Sequence, residues 1–523
     1  MDIWSWISQL PESERVDSFQ LGSSNSSSIE LRAERVMVNG DDDSKSEVAV
    51  SITFSVHFVG FNSSDAEKPV WTSDTCPLSS EKPFLPLVLQ LLQEIAARSP
   101  NAHWNCNCPR SQLQKLKPDP VSWVLDSHAP ESFSSFFDLV FLTRLFWLCV
   151  LDAPAEVGSF YFHSVLAPNL DALSYAPVLK NFLITVGTDV ELCFLRTLGY
   201  ILAKLLILKD IEIRGQKSPT TFPAKNVGFS YATEAHGLWI LKGYSPVKSM
   251  QCVQSSSEKR DFPAVIGAKE SFLKYALAHQ QLEAVIQMEY SVEYSDNYIQ
   301  VKARVDNLRF HVVKLGFSDE DSLEFEEKHF PSRVRVWVGP EIGESYVAGL
   351  TLGRSTDNVE KEMEMQRTLK GKSGNSKVSP AVKSTARIAT RTKMKNWRWD
   401  QDVEGNAAVF EAVLCDNSTG VEVAAWKPPA VGGNGFPRRY AGGGRPFAKS
   451  GGLIFSGEDC GGGGVAWRVS KEMEGSVVKW RIGGRVWVSY CPNDIKSSYF
   501  ETRCVEWCDE VDLPLIAPPA SAL

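Results

Sequence analysis

AVIQMEYSVEYSDNYIQVKARV, residues 284 to 305, decides the fold class. Two alternating runs flank Ser295-Asp296-Asn297, and period two is the spacing of a strand with one buried face. Ile286, Met288, Tyr290, Val292 and Tyr294 fall on one side, with Val285, Gln287, Glu289, Ser291 and Glu293 on the other. The first set is expected in the core, and the stretch reads as an antiparallel β-hairpin.

Outward from this hairpin the texture changes twice. Toward the N-terminus, EVAVSITFSVHF (47–58) alternates in the same way through Val48, Val50, Ile52, Phe54, Val56 and Phe58. It is expected to pair with residues 29–38 across the turn NGDDDSKS, with His57 on the polar, solvent-facing side. From Pro83 the apolar positions Leu85, Val88, Leu89, Leu92, Ile95 and Ala96 follow helical spacing, and further helices are expected in 134–151 and 178–209. Beyond the hairpin, strands are expected at 333–338, 345–352, 407–415, 421–426, 465–469, 476–490 and 498–506. In SVVKWRIGGRVWVSY, Gly483-Gly484 is read as part of a turn, with Val478, Trp480, Ile482, Val486, Val488 and Tyr490 on one apolar face and Trp487 outside.

The resulting expectation is an α+β fold: antiparallel β-sheets or a sandwich, a helical layer, and an all-β C-terminal part. The regions are an N-terminal docking segment and hairpin (1–79), the helical layer (80–212), a β-rich region (213–360), a basic flexible loop or linker (361–395), and a Trp- and Gly-rich β-sandwich part (396–523). DIWSWISQL crowds Ile3, Trp4, Trp6, Ile7 and Leu10 together. It reads equally as a helix that docks on a partner and as one folded back on the chain's own core.

The 523 residues are 43% hydrophobic and carry a net charge of −8, enough apolar material for a large core. Residues 367–399 hold ten Lys or Arg and no acid, so the rest of the chain carries −18. The opening MDIWSWISQLPESER lacks the basic and apolar blocks of a secretory leader, and eleven cysteines, an odd number, fit reduced thiols. A cytoplasmic or nuclear location is expected. The apolar runs 134–151 and 192–208 contain Asp138, Arg144, Arg196 and Lys204, and are read as core helices rather than membrane spans.

Three patterns carry chemistry. Asp400, Asp402, Glu404, Asn406 and Glu411 stand at positions 1, 3, 5, 7 and 12 of a window with Gly405 at position 6, the ligand spacing of a calcium loop. The flanks alternate like strands, so a β-hairpin turn without metal is preferred, with calcium as the cofactor alternative. Lys393, Lys395, Trp397, Arg398 and Trp399, with Arg438 and Arg439 of RRYAGGGR, mix cations with stacking rings in the manner of single-strand nucleic-acid binders. The alternative is a surface for an acidic partner, and Ser379-Pro380 between these cations is a candidate phosphorylation site. The nucleophile-elbow, metalloprotease, phosphate-loop and dinucleotide motifs are missing, which points away from an enzyme.

RVWVGPEIGESYVAGLTLGRSTDN (335–358) and NWRWDQDVEGNAAVFEAVLCDNSTGVEVAAWKPP (396–429), together with MDIWSWISQLP, resemble a plant-specific family of predicted proteins of unknown function. The resemblance implies a plant source and an intracellular protein, and transfers no catalytic residue. The expected function is non-enzymatic binding or scaffolding with a protein partner. RNA binding through 367–399 and the Gly/Arg-rich 432–464 segment is the first alternative, and a calcium-dependent β-sandwich module the second.

Overall fold

The computed structural model describes residues 2–12, 17–24, 26–38, 49–61, 68–99, 116–169, 177–215, 228–247, 279–315, 328–341, 343–352, 361–373, 382–394, 397–415, 422, 453–456, 464–491 and 502–517. The fold is α+β, as the alternation and its interruption by helical spacing require. It divides into two compact units: Met1–Phe229 with Tyr244–Leu282 and Val313–Phe325, and Ser230–Gly243 with Glu283–Val312 and Glu326–Leu523.

In the first unit, β1 (Asp17–Ser23), β2 (Ser28–Val38), β3 (Ala49–Val59), β4 (Trp71–Thr72) and β5 (Cys76–Pro77) form one antiparallel sheet in the order β1-β2-β3-β4, with β5 also on β3. β2 and β3 pair from Ser28↔Val59 to Val38↔Ala49. Ile52, Phe54, Val56 and Phe58 are buried as the alternation requires. His57 is not on the surface: it is 5% exposed, with Ser55 Oγ 3.0 Å from its Nε2 and no hydrogen-bond partner at Nδ1. Alternation marks which side of a strand is apolar, but not whether the polar side is also covered.

Helices α1 (Ile3–Gln9), α2 (Leu85–Ala97), α3 (Pro118–Ser127), α4 (Pro130–Phe146), α5 (Ala155–Phe160), α6 (Pro177–Val186) and α7 (Thr188–Gly215) belong to the same unit. The buried stripe of α2 is Leu87, Val88, Leu91, Leu92, Ile95 and Ala96, turned by about one position from the expected one. α4, extended by a π-helical turn over Trp147–Leu151, is the only described helix long and apolar enough to cross a membrane. Its apolar window is 89% buried in the protein, which makes it the core of the helical layer.

α1 is folded onto this core. Asp2 caps it by accepting from Ser5 N–H at 3.0 Å. Ser134 Oγ donates to Asp2 at 2.6 Å, and Ile3 N–H donates to Asp138 Oδ1 at 3.2 Å. The Trp4 ring meets Phe133 and Phe137 with centroids 4.6 and 5.0 Å away. The apolar residues of DIWSWISQL therefore complete the chain's own interior, with Ile3 and Ile7 fully buried.

The second unit is built on two antiparallel sheets, apart from Phe229, Tyr244–Val247, His279–Leu282 and Val313–Leu315 of their strands, which count with the first unit. One runs β11-β17-β9-β8-β7-β6, with β16 also on β9: β6 (Phe229–Ala235), β7 (Leu238–Val247), β8 (His279–Tyr294), β9 (Tyr298–Leu315), β11 (Val347–Leu352), β16 (Leu453–Ser456) and β17 (Val465–Ser470). The other runs β14-β15-β10-β18-β19: β10 (Lys328–Pro340), β14 (Trp397–Glu404), β15 (Ala407–Leu414), β18 (Val477–Cys491) and β19 (Thr502–Pro514). Strands from 213–360 and from 396–523 alternate in both sheets, so these two sequence regions make a single β body. Its centre is aromatic. Trp239 stacks on Tyr290 at 4.3 Å, and Trp480 lies 5.5 Å from Trp239 and 4.8 Å from Trp467.

Two expectations are corrected here. Gly483-Gly484 is not a turn but the middle of β18, paired on both sides with β10 and β19. Room for neighbours explains the glycines: an added Cβ would lie 2.1 Å from Trp337 Cζ2 at 483 and 2.4 Å from Ile286 Cδ1 at 484. The apolar face survives as plain alternation, with Val478, Trp480, Ile482, Val486 and Val488 buried and Trp487 half-buried. The basic segment 361–395, expected as a loop, is strand in its described residues: β12 (Lys361–Ser373) and β13 (Val382–Met394) form a two-stranded antiparallel ribbon of thirteen pairs. Its abundance of charge masked a period-two pattern of Met, Leu, Ala, Ile and Thr.

Candidate functional site

The calcium-like window folds as a tight hairpin. β14 and β15 pair from Trp397↔Leu414 to Glu404↔Ala407, leaving Gly405-Asn406 as the turn, with Gly405 at φ +62°. Asp400 faces Glu411 across the ladder, while Asp402 and Glu404 lie further along β14 toward the turn. Three of the carboxylates are ion-paired: Glu411 with Arg333 at 2.5 Å, Glu404 with Arg335 at 2.8 Å, and Asp400 with Arg398 at 3.1 Å. The Asn406 carbonyl accepts from Trp467 Nε1 at 2.8 Å. The five positions are thus strung along two strands and their turn, and among the described residues no three acids, histidines or cysteines converge to hold a metal ion.

Of the mixed cation and ring surface, the side chains of Trp397, Arg398 and Trp399 are described. Trp399 is 4% exposed and cannot offer its face to a base, and Trp397 packs against buried Phe330 and Leu414. Arg398 bridges Asp400 and Glu422, the latter at 3.0 Å, and these partners hold its guanidinium above the usual arginine range. Lys393 stands opposite Glu362 on the ribbon. Lys395, Arg438, Arg439 and Ser379 lie outside the described residues, as does the rest of 432–464 apart from Leu453–Ser456 and Gly464.

A concavity with converging charge lies elsewhere in the same unit. A pocket of about 770 Å³ is lined by Glu341, Glu344, Ser345 and Tyr346 before β11, Ser470 at the end of β17, Glu472 and Met473 after it, Val478 and Lys479 of β18, and Glu510 of β19. Backbone ties hold its rim: Ser470 N–H donates to the Tyr346 carbonyl at 2.8 Å, and Glu474 N–H to that of Lys471 at 3.1 Å. Lys479 pairs with Glu510 at 3.2 Å, and Glu341, Glu344 and Glu472 add further negative charge to the lining, with Arg481 near Glu341. Burial and the neighbouring glutamates push the Tyr346 hydroxyl up.

No family model matches the chain, and no curated protein does. Among solved structures it is similar to the Clostridium perfringens NetB toxin in its membrane-inserted form, at 10% identity over 54% of this chain and 94% of that one, with a TM-score of 0.20. It is similar to another chain described as a pore forming protein, at 8% identity over 54% of this chain and 90% of that one, also with a TM-score of 0.20. Likeness at that level carries no argument about function.

Among the described residues the pocket lining holds no histidine, cysteine or arginine, and it combines net negative charge with the apolar surfaces of Met473, Val478 and Tyr346. Such a lining suits long-stemmed cations, whose methylenes lie on apolar surface while the head meets carboxylate. Sequence reading missed it because its residues come from four separated segments, none with a motif of its own.

Proposed function

We propose that the protein is a non-enzymatic binding protein, and that the glutamate-lined pocket of its β body receives a lysine- or arginine-rich segment of a protein partner. One observation carries the reading: a cavity of about 770 Å³ walled by four glutamates against one lysine. That volume is of the size that holds several side chains or a small ligand. Charge of one sign in a concave wall raises the local concentration of the opposite sign and selects against acidic partners.

Fluorescence anisotropy with a labelled Lys/Arg-rich peptide of about 12 residues tests this. Binding is expected to weaken as salt rises from about 50 to 300 mM. The Glu344→Gln/Glu472→Gln variant is expected to lose at least about tenfold in affinity, equivalent to ~1.4 kcal/mol. Equal binding of an acidic peptide, or an unchanged Kd in the double variant, would remove the proposal.

A further inference from the structure

The β12–β13 ribbon pairs only with itself among the described residues, which leaves both of its outer edges without a ladder partner. A two-stranded ribbon by itself is marginal in water, and open edges invite further strands. Its register sorts the sequence into two sides. One side has fourteen positions, including Met363, Met365, Leu369, Val382, Ala386 and Ile388, of which two, Lys361 and Arg367, are charged. The other has twelve positions, eight of them charged, including Lys370, Lys372, Lys383, Arg387, Arg391 and Lys393.

Length adds a third constraint. Thirteen rungs at roughly 3.3 Å each make a ribbon about 43 Å long. At the ~45° tilt of a membrane strand, this covers about 30 Å, the hydrocarbon thickness of a bilayer.

We propose that β12–β13 is a membrane-inserting hairpin that spans a lipid bilayer when several copies of the chain align their ribbons into a closed barrel. The less charged side then faces lipid, the charged side lines an aqueous lumen, and neighbouring copies pair the open edges that hydrocarbon would not tolerate. A nucleic acid gripped by the cationic side would use one face and leave the less charged face and both edges unexplained. Arg367, at the seventh of thirteen rungs, is the one lipid-side charge away from the ribbon ends and opposes insertion.

The test uses the full chain and unilamellar vesicles of phosphatidylcholine and phosphatidylserine loaded with a self-quenched dye. The expected result is dye release accompanied by cross-linked species larger than a dimer. Arg367→Leu should raise release at least about twofold. Leu369→Asp with Ile388→Asp should abolish it, while circular dichroism and Tm show an intact body. Gln366→Glu, on the lumen side, should leave release unchanged. Absence of release from the unaltered chain at every protein-to-lipid ratio overturns the proposal, as does full release by the double aspartate variant. Salt-sensitive binding of a nucleic-acid duplex, lost on Lys370→Ala/Arg387→Ala and without dye release, would also overturn it and assign the ribbon to nucleic acid. Neither result bears on the glutamate pocket, whose peptide binding is measured without lipid.

Discussion

Asp138 shows how a single buried carboxyl can set the pH response of the helical layer. Burial pushes its pKa up to about 7 from the ordinary 3.8. In the unfolded chain the group ionises near pH 4, whereas in the fold it stays protonated until about pH 7, so stability falls as pH rises between those values. The cost at neutral pH is on the order of 4 kcal/mol. Asp138→Asn should therefore raise Tm at pH 7.5, with little change at pH 4, in a calorimetric pH series. His57 acts in the opposite direction. Burial lowers its pKa below 6.5, and stability is lost as pH falls through that region. Arg144 is a third case: it is 5% exposed and ion-paired to Glu94, which also accepts from Trp71 Nε1 at 3.1 Å. Glu94→Gln should cost about 3–5 kcal/mol in denaturant melts by leaving a buried guanidinium uncompensated, far more than a surface ion pair is worth.

At the scale of elements, β18 is the most demanding strand. It is hydrogen-bonded along both edges and carries Trp480 into the aromatic centre. Gly483→Val should destabilise by roughly 3 kcal/mol or more, because its Cβ would meet the Trp337 ring and the valine has no free space to turn into. Exposed Val477, 56% accessible in the same strand, provides the control, with Val477→Thr expected to change stability by less than about 0.5 kcal/mol. Most of the strands and helices were legible from period alone, down to the buried set around Ile286 and Met288. The glycine pair was misread because Gly-Gly is a turn signal locally, and only the approach of Trp337 from a strand about 150 residues away makes it a strand signal. The pocket was illegible for a related reason: each of its glutamates looks like an ordinary surface acid until β10, β17, β18 and β19 are brought together.

For the whole molecule, the sequence order of regions does not match the structural order of units. The segment 361–394 interrupts the β body in sequence, yet among the described residues β12 and β13 share no ladder with either of its large sheets. Replacing it by a short Gly/Ser linker should leave the Tm of the β body within about 2 °C and peptide binding at the pocket intact, measured by calorimetry and anisotropy. A large drop in Tm would show that the body depends on the ribbon.

The Trp239–Trp480 contact has a consequence for synthesis. Its two rings lie 241 positions apart along the chain, so the aromatic centre cannot form until β18 has left the ribosome. At 5–20 residues per second, that leaves β7 and β8 waiting roughly 10–50 s with their apolar faces uncovered. During that interval the nascent chain exposes apolar surface, and yield in a cell should depend on holdase supply more steeply than the melting temperature of the finished protein would suggest.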